Sequence, residues 1–330
     1  MPNLITHYIY SHEIIKATDN KNIIKTVSDY ENVFNLGAQG PDIFFYYKIF
    51  NFLGAKKIRY IGSRMHKELT GEYFKSVLQY IKKTDGREYE ILSSYLYGII
   101  SHYAIDLCTH AYIYYKTGFV RKGESYTYKY SCHHRSFETA IDTILAFEKL
   151  GMPPYKIRPY KLISLKKDVR HIIAKMVSEA VNKTYGTSIT INHAYKAIRS
   201  MYRIFLLLSD RSGTKKNLLD LLEKLLCQPA FLSSAVYPVK IKNDIDFMNK
   251  SHSVWYHPCD KSIVHRESFY DLLDNAVKEG KELCQATYEY LSGSTTLDEI
   301  LKRIGSRSYA SGIECDTDCV FLYHDCVYEK

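Results

Sequence analysis

Residues 88–115 read EYEILSSYLYGIISHYAIDLCTHAYIYY, and this stretch decides the fold. Isoleucine, leucine, tyrosine and alanine occupy nearly every side of it. A helix that is hydrophobic all round is one buried by other helices. The stretch therefore predicts the central helix of an all-α, multi-helix bundle. The exceptions to its apolar character are His102, Asp106 and His110, spaced by four. Residues four apart share one helix face, about 6 Å from each other along the axis. Three ionisable side chains thus form a stripe down a buried helix. Left unpartnered, each would cost several kcal/mol, on the order of 2–7. A bound metal turns the same groups into ligands. A metal-free buried hydrogen-bond network is the other reading of the stripe. Because His102 and His110 start about 12 Å apart, while zinc holds its ligands at about 2 Å, two or more ions fit the stripe better than one.

Working outward, residues 11–35 carry an amphipathic helical pattern, and GAQGPD at 37–42 breaks it. Helical patterns resume at 43–53 and 64–84. Residues 116–130 are basic, tyrosine-rich and loop-like, and 132–149 are helical again, stopped by GMPP at 151–154. Further helices are expected at 160–182, 190–209, 215–227 and 266–292. The short runs Ser188–Asn192 and Val236–Ile241 carry the best strand patterns. Residues 230–265 read as loop-rich and hold the single tryptophan, Trp255. No flexible linker divides the chain, so residues 1–330 are expected to form one domain. Its parts are a metal-site core over 1–150, a helical completion over 155–292 and a cysteine-containing tail over 293–330.

Seven of the 13 histidines lie within the first 134 residues. His134 and Glu138 form a second i, i+4 pair, which is also the spacing of an ordinary surface ion pair. His133 then points away from Glu138, toward solvent or substrate. Asp42 follows Gly40-Pro41, where a carboxylate could equally cap a helix. His66 and His7 are uninformative taken alone.

The 330 residues are 46% hydrophobic, enough for a sizeable core, and 31 of them are tyrosine. The formal charge of +9 is spread along the chain. It favours anionic partners such as phosphate esters, nucleic acid or acidic lipid surfaces, and suits an ordinary solvated surface equally well. The N-terminal residues lack the basic and apolar pattern of a secretory signal, and no run approaches the ~20 apolar residues of a membrane span. A cytoplasmic chain with reduced thiols is the expectation. In the tail, Cys315, Cys319, His324 and Cys326 suit either a separate metal site or unpaired thiols in a mobile terminus.

In order, THY near the start, GAQGPDIFFY, RMHKE, GIISHYAIDLCTHAYIYY and HHRSFETAID resemble the zinc-dependent phospholipase C family, whose relatives include the P1-type nucleases. The resemblance covers roughly residues 1–145. It implies an all-helical fold with up to three zinc ions in a cleft. Position by position, it implies Asp42, His66, His102 and Asp106 around one ion, and His110, His134 and Glu138 around a second. His7 with a shared Asp106 would serve a third. It also makes Asp42 the general base or water-orienting group. The implied activity is phosphodiester hydrolysis by metal-activated water, with a phospholipid as the best-known substrate. A P1-type nuclease or nucleotidase, taking nucleic acid as substrate only, and a non-catalytic protein with structural zinc are the alternatives. Three features differ from secreted members. The chain starts Met1-Pro2 where they expose a tryptophan that completes the third site. His110 follows Asp106 more closely than theirs does. Residues 155–330 look helical where some of them carry a membrane-docking β-sandwich. The segments VWYHP at 254–258 and SRSYASG at 306–312 resemble intracellular-type members but carry no assignable chemistry; Trp255, His257 and His265 either line the cleft or, for Trp255, pack in the core.

Overall fold

The computed structural model describes residues 4–48, 55–154, 156–210, 212, 214–226, 232–238, 241 and 244–329. The chain is a multi-helix all-α assembly with one small two-stranded sheet among the described residues. At its centre is α6 (Gly86–Thr117), 32 residues long, with 25 of them buried. The all-round apolar reading is thereby met, and both ends extend slightly beyond the expected 88–115.

Around α6 pack α1 (Leu4–Ala17), α2 (Lys21–Asp29), α3 (Glu31–Gly37), α5 (Thr70–Ile81), α7 (Lys129–Leu150), α9 (Lys167–Tyr185) and α12 (Phe269–Ser292). The remaining helices are α4 (Ala55–Met65), α8 (Pro159–Leu162), α10 (Ile191–Leu208), α11 (Lys215–Leu225) and α13 (Leu297–Ile304). Two backbones meet where glycine permits it. A Cβ on Gly37 would lie 2.2 Å from the Tyr95 carbonyl oxygen, and one on Gly98 would lie 2.3 Å from that of Phe34. That fit lets α3 lie directly against α6 and carries the chain into the GAQGPD turn beside the polar stripe.

Several boundaries differ from expectation. The pattern over 11–35 is three helices. Asn20 caps α2 by accepting from the Asn22 and Ile23 amides, so the chain restarts there instead of continuing. The pattern over 64–84 breaks at Leu69, which adopts positive φ. Residues 40–46 form a tight 3-10 turn where an α-helix was expected, and 49–53 of that expected helix lie outside the described residues. Ser188–Asn192 is not a strand; Thr190 caps α10 through a reciprocal box with His193. Residues 236–238 are irregular, and 239–240 lie outside the described residues, as does Cys227. The sheet is instead an antiparallel pair, β1 (Trp255–His257) and β2 (Asp260–His265). Trp255 is buried against Tyr112 and His265. Trp255 therefore packs in the core through β1, while β2 is largely exposed.

Candidate metal centre

The stripe on α6 faces residues from four other segments. α1 supplies His7. The 3-10 turn supplies Asp42, and His66 follows the end of α4. α7 supplies His134 and Glu138. All eight residues come together in three groups. His7, His102 and Asp106 form one; Asp42, His66 and His102 form another; His110, His134 and Glu138 form the last. Within each group the ligand-type atoms lie within 4.8 Å of one another. The spacing argument separated His110 from His102, and the geometry does the same.

The turn at Gly40 makes this possible. Gly40 has φ +49°, and a Cβ there would sit 2.3 Å from Cδ2 of His102. Only glycine admits both that backbone and the imidazole against it. Asp42, two residues on, does not cap a helix; its Oδ1 lies 3.0 Å from Nε2 of His66.

Hydrogen bonds decide the tautomers. His66 Nδ1 donates to the Gly62 carbonyl at 2.6 Å, His102 Nδ1 to Ala38 at 3.1 Å, and His110 Nδ1 to Tyr309 at 2.9 Å. A carbonyl only accepts, so each Nδ1 carries a proton and Nε2 is the ring nitrogen left to face the centre. Those nitrogens face carboxylate oxygens. His102 Nε2 is 3.0 Å from Asp106 Oδ2, yet neither atom is aligned for a hydrogen bond. Both nitrogens of the buried His7, Nε2 of His66, Oδ1 of Asp42 and both oxygens of Asp106 likewise have no hydrogen bond. Buried groups left this way cost about 1–3 kcal/mol each. A cation placed between these nitrogens and oxygens would give both a partner. Imidazole and carboxylate donors, with each histidine oriented through its other nitrogen, are the donor set and outer support that zinc takes. The residues fit a metal.

The charges agree. Burial alone would raise the Asp106 carboxyl, but His102 and His110 outweigh it and hold it well below the usual carboxylate range. Glu138 is likewise held low against burial, mainly by His134. Burial pulls His7 down to about 4, assisted by His102, and pulls His134 down to about 4 despite Glu138. Both rings are neutral near pH 7, the state a ligand requires.

A model of the zinc-dependent phospholipase C family matches residues 6–195. The chain belongs to that family. No curated protein and no solved structure matches it. Family membership and the three groups together support zinc as the metal of this phosphoesterase.

A cleft of about 1150 Å³ reaches the centre at His134 and Glu138. Phe45, Tyr46, Tyr114 and Phe321 line it, together with the cations Arg59, Lys67, Arg121, Lys122 and Arg135. No helix among the described residues is long and apolar enough to cross a membrane.

Several supporting residues escaped the sequence reading. SRSYASG proves to be a brace: Tyr309 N and Ser308 Oγ donate to the His66 carbonyl, while Tyr309 O receives His110. Asp142, one turn past Glu138, accepts from the Ile5 and Thr6 amides and from the Tyr237 hydroxyl, fixing α1 just ahead of His7. The i, i+4 step from Glu138 to Asp142 was a usable signal. His257 donates to the Ser311 carbonyl and braces the same loop. His133 is half-buried and contacts the Tyr130 and Tyr328 rings, beside Cys326. Among the described residues the tail's cysteines and His324 form no metal-ligand group, and the tail is tied to α6 through the Asp325 and Val327 amides. Cys319 is bonded to Cys259, against the expectation of thiols throughout, and residues 314–322 contribute to the cleft wall.

Proposed function

We propose that the protein hydrolyses a phosphodiester with zinc-activated water, a phospholipid being the favoured substrate class. The observation that carries this is the set of protonated Nδ1 atoms on His66, His102 and His110, each of which leaves Nε2 turned toward a carboxylate in a centre whose His134 and Glu138 line the cleft.

In this reading Asp42, His66, His102 and Asp106 hold one ion. His110, His134 and Glu138 hold a second, and His7 with the shared Asp106 holds a third. Bound zinc supplies charge that polarises a phosphoryl oxygen and brings the pKa of its water near 7. The chain's own residues do the rest. Asp42 accepts the proton of the attacking water or orients it. The basic side chains of the cleft, Arg135 among them, draw the phosphate inward, and Phe45, Phe119 and Phe321 offer apolar surface to the remainder of the substrate. The group of His110, His134 and Glu138 has three ligands and borders the cleft, as suits a catalytic rather than a closed structural site.

A P1-type nuclease is the second reading, favoured by aromatic rings beside the metal group. Tyr114 lies 4.7 Å from His134 and 4.8 Å from Phe321, centroid to centroid. Assaying one zinc-loaded sample on bis-p-nitrophenyl phosphate, a phosphatidylcholine and single-stranded DNA separates the readings. Turnover of the first two supports the proposal, and preference for DNA supports the nuclease. Zinc without turnover on any of them leaves a structural metal and refutes both.

A further inference from the structure

Helix α11 is mounted inside out. Its leucines Leu218, Leu221, Leu222 and Leu225 follow the i, i+3, i+4, i+7 spacing of one face. On a soluble protein that face packs inward. Here the four are 57%, 54%, 44% and 71% exposed, and no residue of the helix is buried. The polar side chains instead bind the body of the protein. Lys216 Nζ donates to the Ser233 carbonyl, and Glu223 accepts from the Leu232 amide and the Ser233 hydroxyl. Lys215 Nζ donates to the carbonyls of Leu207 and Ser209, and the Lys216 amide to Asp210. These bonds fix the rotation of the helix, so its apolar face is held outward.

What lies behind α11 is the cleft wall. Leu232 and Ala235, around the turn that anchors it, line the cleft, as do Ile204, Phe205 and Leu208 of α10. Leu206 and Leu207, at the same junction, are exposed as well. From other parts of the chain, Val120, Val320 and Leu322 are exposed lining residues, with Arg121 and Lys122 next to Val120. The cleft lining therefore carries exposed apolar side chains from separate segments, with cations among them, on a chain of net charge +9.

We propose that α11 and this rim seat the protein on a phospholipid bilayer containing anionic lipid, with the cleft mouth facing the membrane. An interfacial helix buries its apolar face about 5–10 Å into the headgroup boundary, and basic groups around it add attraction to acidic headgroups. Charge complementarity selects this occupant over a second copy of the chain, whose own +9 would repel. The inference deepens the phosphodiesterase reading by giving the helical body its own route to a lipid substrate, and it rests on that reading for its purpose only.

The test is vesicle co-sedimentation of the full-length, zinc-loaded protein, using phosphatidylcholine vesicles with and without about 30 mol% phosphatidylserine. The comparison is between wild type and the double variant Leu221→Gln, Leu225→Gln. Both positions are exposed, so the fold is retained, as circular dichroism would verify. Wild type should bind the anionic vesicles, more weakly in high salt, and the variant should lose binding by about tenfold or more. Hydrolysis of bis-p-nitrophenyl phosphate, which needs no membrane, should be equal in the two. Absence of wild-type binding overturns the proposal, as does a variant that binds like wild type. A wild-type dimer in sedimentation equilibrium that the substitutions convert to monomer also overturns it, in favour of self-association. Failure of the diesterase assay in both proteins, with vesicle binding lost only in the variant, would sink the enzymatic reading and leave the docking surface standing.

Discussion

Nε2 of His102 lies 3.0 Å from Oδ2 of Asp106, one turn further along the same helix, while its Nδ1 is committed to the Ala38 carbonyl. The contact is at hydrogen-bond distance without hydrogen-bond alignment, and neither atom is exposed. Buried ligand-type atoms of His7, Asp42 and His66 lack hydrogen bonds in the same way, which a shared cation would account for.

Gly40→Ala should damage the centre from outside it. The added methyl would meet the His102 ring at 2.3 Å on a backbone with φ +49°. A destabilisation of about 2–4 kcal/mol is expected from strain and overpacking. Zinc retention should fall with it, since His102 must move. Thermal melting with parallel metal analysis checks this, and a variant that melts and binds zinc like wild type would contradict it.

The metal-free protein should be most stable near neutral pH. His7 and His134, depressed to about 4 chiefly by burial, bind protons only in the unfolded state between about 4 and the ordinary value of 6.5. Each therefore makes stability fall as pH drops through that window. Asp142, raised by burial to about 7, runs the other way below neutrality and offsets one of the two. His12, His133, His257 and His324, all lowered mainly by burial, add to the acid-side loss. His102 is raised: burial pushes it down, but Asp106 outweighs that, so its contribution fades as pH rises above 6.5. Urea midpoints of the chelator-treated protein from pH 4.5 to 8 should thus peak near 6.5–7. A flat profile, or steady gain toward pH 4.5, would be inconsistent with these shifts.

Asp142→Asn should loosen α1. An amide of similar shape cannot accept from the Ile5 and Thr6 amides and the Tyr237 hydroxyl with both of its ends. A loss of about 1–3 kcal/mol is expected. One zinc should be lost more readily than the others, because His7 rides on α1. Stepwise chelation followed by elemental analysis reads this; uniform loss of all ions would count against the link to His7.

Reducing the Cys259–Cys319 bond should release the cleft wall. The bond closes a loop with a sequence separation of 60, worth about 4 kcal/mol in the chain-entropy account. Melting with and without reductant, beside a Cys259→Ser variant, should show matching losses. Reductant that also destabilises the variant to the same extent would point to another cause.

Much of this was legible in the sequence for a physical reason. A helix that is apolar all round announces its burial, and polar residues at i, i+4 on such a helix must be partnered, so α6 and its stripe could be read locally. The Gly40-Pro41 turn and the His134–Glu138 step were equally local. What was missed depends on contacts between distant residues. Leu69 breaks the 64–84 pattern where Thr70 bonds to the Arg307 carbonyl, 237 positions away. The brace at Tyr309 acts through backbone atoms, which leave no trace in residue type. Helix α11 was expected as a helix, but its inverted mounting depends on Ser233 and Leu232 and could not be seen from periodicity, which does not say which face is covered.

The central claim is that carboxylates and histidines from five segments share divalent ions, with Asp106 between them. Elemental analysis of wild type and Asp106→Asn, purified alike, tests it most directly. The account predicts two or three zinc ions per wild-type chain and a loss of more than one in the variant. A folded wild-type protein without metal, or a variant that loses at most one ion, would contradict it.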